Sequence, residues 1–176
     1  MSIEWILADA LLEVERDDSR ARELSEESAE IADRMGARTF IPEARSRAAI
    51  ACVRLGDLTA ARAHVAAAKV ALFSIDDEAD RITATAEAQL LMAEGHPVSA
   101  ERILRDCLTR IAPTVGGFDL ALLRTELGKA LIAAGRGGDA REQLVRAREF
   151  FRDPLARGWQ ERVDALLARA EAPATP

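Results

Sequence analysis

The chain contains no tyrosine, and aromatic residues make up only 4% of its 176 positions. It has two cysteines and two histidines. Two cysteines cannot build the disulfide framework of a small secreted domain, and Cys52 and Cys107 both fall at core-facing positions, so they read as buried thiols. With His64 and His96 they offer no usable zinc spacing, and no metal is expected. Basic residues are in deficit, 24 against 30 acidic, for a net charge of −6 and a pI near 5.1. A nucleic-acid binder displaces counterions with a basic stripe, so no direct nucleic-acid contact is expected. No apolar run reaches the ~20 residues that span a bilayer, and Met1-Ser2-Ile3-Glu4 lacks the basic start of a signal peptide. The expectation is a cytoplasmic chain with no membrane contact.

Alanine is abundant instead, at 36 residues. It is the best helix former and the smallest apolar side chain, so propensity predicts an all-α fold with closely approaching helices. Ala21, Ala61, Ala100 and Ala140 stand near the start of helical segments at separations of 40, 39 and 40 residues. Such a period marks a helix pair too small to bury its own apolar face, stacked on copies of itself. The punctuation repeats with it. Gly56-Asp57, Gly95-His96-Pro97 and Gly135-Arg136-Gly137-Gly138-Asp139 each supply a left-handed stop and then a helix start, and Asp17-Asp18-Ser19 plays the second part without a glycine. One domain over 1–171 is predicted, with units of about 3–40, 41–77, 78–117 and 118–154. A final amphipathic helix at 155–171, carrying Trp159, Val163, Leu166 and Leu167 on one side, is placed to cap the stack, and 172–176 reads as a disordered tail.

These residues resemble the tetratricopeptide repeat. Ala61, Ala100 and Ala140 match one small position of that family's second helix, and Ala68, Cys107 and Ala147 match the other. Trp5 falls where the family often has Trp, and Leu127-Gly128 where it has a Leu-Gly pair. The period is longer than the usual ~34 residues, and Leu12, Cys52, Leu91 and Leu131 replace a family aromatic. Long Ala/Leu/Arg-rich units of this kind, with phrases such as Arg54-Leu55-Gly56-Asp57-Leu58, are similar to the helical-repeat region of large bacterial transcriptional activators of the maltose-regulon-activator type. The resemblance implies a right-handed superhelix of about four antiparallel helix pairs plus a C-terminal capping helix.

Nothing in the chain assembles catalysis. His64, mid-helix, reads as a surface or groove residue and His96 as a turn residue, neither with a nucleophile and an orienting acid at recognisable spacing. The glycine clusters lack the preceding strand and the Lys of a phosphate loop, so neither an enzyme nor a cofactor is expected. Acidic pairs before helices, Asp17-Asp18 and Asp76-Asp77, read as caps.

In the resembled family the first helix of each unit lines a concave groove. The corresponding positions are Ile6, Ala10 and Glu13; Ser46, Ile50, Val53 and Arg54; Thr85, Gln89 and Met92; and Thr125, Lys129 and Ile132, with Arg47, Arg54 and Lys129 at the edge. The family's carboxylate-gripping Lys/Asn pair is absent. The reading is therefore a scaffold that binds a peptide or amphipathic helix of a protein partner, the alternative being the effector-sensing or regulatory interaction module of a bacterial transcription regulator. The apolar first helix, with Trp5, Ile6, Leu7, Leu11, Leu12 and Val14, further predicts a two-fold homodimer.

Overall fold

A computed structural model describes residues 17–72, 77–114, 116–152 and 156–171. The first predicted helix, with the groove candidates Ile6, Ala10 and Glu13 and the dimer surface around Trp5, lies outside them, as does the tail 172–176. Among the described residues there are eight α-helices and no strand. They are α1 (Asp18–Arg34), α2 (Ile41–Leu55), α3 (Leu58–Ala71), α4 (Asp77–Ala93), α5 (Pro97–Ile111), α6 (Gly117–Ala133), α7 (Gly137–Phe150) and α8 (Arg157–Glu171), with a single 3-10 turn at Arg38–Phe40. The all-α expectation holds, and none of these helices is long and apolar enough to cross a membrane.

The chain divides into two compact units, Met1–Glu94 and Gly95–Pro176. In the first, α1 packs on α2, α2 on α3 and α3 on α4, while α2 also packs on α4 two elements away. In the second, α5 packs on α6, α6 on α7 and α7 on α8, with α8 also touching α6.

The turns follow the sequence. At Gly56 the chain takes φ +80°, a left-handed conformation that costs glycine little. This lets the Asp57 N–H donate to the Cys52 carbonyl at 2.9 Å and close the end of α2. Arg136 N–H closes α6 on the Leu131 carbonyl in the same way, at 2.8 Å. The Asp57 carboxylate then accepts the Ala60 N–H at 3.0 Å and starts α3, and Asp17 accepts the Arg20 N–H at 3.0 Å at the start of α1.

All four periodic alanines, Ala21, Ala61, Ala100 and Ala140, are fully buried, as are Ala68, Cys107 and Ala147. Alanine there brings helix backbones close. Gly128 goes one step further: a Cβ built on it would stand 2.6 Å from Leu144 Cδ2 on α7.

The residue after each periodic alanine forms a cross-helix ion pair. Arg22 reaches Asp57 at 3.1 Å, Arg62 pairs with Glu94, Glu101 with Arg136 at 2.7 Å, and Arg141 with Glu171 at 3.4 Å. The polarity is the same in three of these pairs and reversed at Glu101–Arg136.

Candidate functional site

The groove positions divide along each first helix. Ser46, Arg47 and Ile50 in α2, Thr85 in α4 and Thr125 in α6 are buried, whereas Val53, Gln89, Met92, Lys129 and Ile132, further along the same helices, are partly exposed. Two of the buried hydroxyls, those of Ser46 and Thr125, are satisfied inside the protein. Ser46 Oγ and Thr83 Oγ1 are hydrogen-bonded at 3.0 Å between α2 and α4, and Thr125 Oγ1 donates to the Ala121 carbonyl at 2.8 Å. The Arg47 guanidinium is enclosed near Glu43, at 3.5 Å, and Glu78, at 3.9 Å. These five side chains are enclosed by the protein's own packing. Among these groove positions, those that reach solvent lie in the carboxy-terminal half of each helix and are mixed in character; there Arg54 also pairs with Asp18 at 3.3 Å and Lys129 with Glu126 at 2.6 Å.

A second arrangement escaped the sequence reading. His64 is buried, contrary to the expectation of a surface or groove position, and its Nε2 lies 3.0 Å from Glu26 Oε1. Cys52 stands beside this pair. The three potential ligand atoms, from α1, α2 and α3, all lie within 4.8 Å of one another, and among the described residues no other cluster of three metal-ligating types is this compact. Arg22 Nε donates to the same Glu26 oxygen at 3.0 Å.

Burial sets the chemistry of these groups. It pushes the His64 imidazole below its ordinary value, against the pull of Glu26, and it pushes the Cys52 thiol up, against the attraction of Arg22. For Glu26 burial acts upward too, but hydrogen bonds from Arg22 and His64 together outweigh it and leave the carboxyl below its usual range. These directions favour the charged form of the carboxyl and the neutral forms of the imidazole and the thiol.

The repeat itself held the missed signal. At the place of Cys52 the other units have Leu12, Leu91 and Leu131, and at the place of His64 they have Leu24, Ile103 and Gln143. Two core positions of one unit carry ligand chemistry where the pattern is largely aliphatic. His96, by contrast, is an exposed turn residue, as expected.

No family model matches the chain, and no curated protein matches it. The structural support for a helical repeat is the recurrence of helix, left-handed turn and buried alanine.

Proposed function

We propose that the protein is an interaction module without chemistry of its own, in which a peptide or amphipathic helix of a partner protein docks on the carboxy-terminal halves of α2 and α4. The observation that supports this reading is the change of burial along α2, α4 and α6, from enclosed at Ser46, Thr85 and Thr125 to partly exposed at Val53, Met92 and Ile132. Val53 and Met92 beside Arg54 and Gln89 give a mixed apolar and polar surface, which suits the apolar stripe and polar edge of an amphipathic helix. Since α2 and α4 pack together in one unit, Val53, Gln89 and Met92 serve as its contact residues, and Lys129 and Ile132 hold the equivalent places in the other unit.

The test is a photo-crosslinking residue placed at Gln89, with capture from native lysate. A specific protein adduct, abolished by Val53→Glu with Met92→Glu and retained by Val70→Glu on the exposed face of α3, is the expected result. The absence of any adduct, or an adduct indifferent to the first pair of substitutions, refutes the reading.

A further inference from the structure

We propose that Glu26, Cys52 and His64 form a binding site for a borderline-soft divalent ion of the zinc class, with one coordination position left to solvent. This inference stands apart from the interaction surface and does not rest on it.

The donor set selects the metal. A thiolate, an imidazole and one carboxylate are the ligands that zinc takes, and three protein ligands with an open fourth position is one of its habitual arrangements. Calcium and magnesium require more oxygen donors than the single carboxylate of Glu26. The geometry is close to what is needed. With bonds of about 2.0 to 2.3 Å, a tetrahedral zinc holds its ligand atoms roughly 3.3 to 3.8 Å apart. Atoms already within 4.8 Å of one another reach this with side-chain movements of about 1 Å.

Charge also balances. A divalent ion with the Glu26 carboxylate and the Cys52 thiolate is neutral, and the adjacent Arg22–Asp57 pair, at 3.1 Å, is neutral as well. A neutral cluster avoids most of the cost of charge in the interior. Arg22 keeps Asp57 when the metal takes Glu26. The three ligands come from three helices, each held in place by its own packing, and the Glu26 carboxylate, whose side chain is 33% exposed, opens the site to solvent. Binding replaces the S–H bond of Cys52 with a metal–sulfur bond and releases one proton to solvent. The neutral His64 ring binds through its unprotonated nitrogen, keeps its single proton on the other ring nitrogen and releases none.

Titration of the metal-free chain with Zn2+, and separately with Co2+, tests the site. The expected outcome is one ion per chain at micromolar concentration, one proton released per ion, and a near-ultraviolet sulfur-to-cobalt charge-transfer band. Cys52→Ala, a substitution suited to an alanine-rich core, should abolish the band. Glu26→Gln and His64→Gln should each weaken binding by at least about tenfold, since even outer-shell partners are worth about 10- to 100-fold. Cys107→Ala should change nothing. Far-ultraviolet circular dichroism of each metal-free variant checks folding, and Cys52→Ser provides a second thiol deletion. The proposal is overturned if the native chain binds no ion at micromolar concentration, if the band survives loss of Cys52, or if binding is indifferent to loss of both Glu26 and His64.

Discussion

The Trp159 ring lies stacked on that of Phe151, with centroids 5.8 Å apart and planes within 18° of parallel. Phe118 meets both rings edge-on, at 5.9 Å from Phe151 and 6.2 Å from Trp159. This aromatic group joins α8 to the end of α7 and the start of α6. Phe151 is fully buried, so Phe151→Ala should cost about 3 to 5 kcal/mol in urea denaturation. Removing 155–176 takes away Trp159 along with the buried Val163 and Leu166, and should leave a protein that aggregates or melts at a much lower temperature. A truncated chain that stays monodisperse and equally stable in sedimentation and thermal melts would show that α8 is not a cap.

Ala61 and Ala100 have no exposed surface. Each added methylene must displace a neighbouring helix, and Ala61→Leu or Ala100→Leu should cost about 1 to 3 kcal/mol. Ala66, exposed on the same helix as Ala61, should accept leucine within about 0.5 kcal/mol. Equal urea midpoints for the two kinds of site would mean that the periodic alanines do not set helix spacing.

Gly128 separates two effects of opposite sign. Alanine is favoured over glycine in a helix interior by about 1 kcal/mol. Its Cβ at 128, however, would meet Leu144 Cδ2 at 2.6 Å and Cγ at 2.7 Å, and Leu144 is fully buried with little room to move. Gly128→Ala should therefore destabilise the protein. Gly138→Ala in the first turn of α7, where a Cβ meets nothing within 4 Å, should be neutral or stabilising. Chemical denaturation of the two variants measures the contrast.

Glu101 holds Arg136 through both carboxylate oxygens, at 2.7 and 2.8 Å. Glu101→Arg sets two guanidiniums against each other, and Arg136→Glu sets two carboxylates, so each should lower the urea midpoint. The double exchange reproduces the polarity of Arg22–Asp57 and should recover part of the loss. A double-mutant cycle with no coupling would show the bridge to be energetically idle.

The helices were readable because each signal recurs. Gly56, Gly95 and Gly135 share a left-handed turn, and Ala21, Ala61, Ala100 and Ala140 share a buried site, so one unit corroborates another. The burial of the groove positions was only half readable. Ser46, Thr85 and Thr125 look like solvent-facing residues in a helical pattern, but hydroxyls can be satisfied in the interior, and periodicity along one helix does not record how deeply its neighbours cover each end. Ser46 on Thr83 and Thr125 on Ala121 are such cases. The Glu26–Cys52–His64 cluster was hidden for a different reason. Its members are separated in sequence, and each has an ordinary reading alone: a charged helix residue, a small core thiol and a lone histidine.

The reversed bridge gives the repeats an order. Loss of the second unit by unequal recombination would bring Arg22 opposite Glu94, an attractive substitute for Asp57. Loss of the third would bring Arg62 opposite Arg136. By charge alone the first two copies are interchangeable as the cationic side of this bridge, whereas the third matches only a neighbour that presents a cation in return.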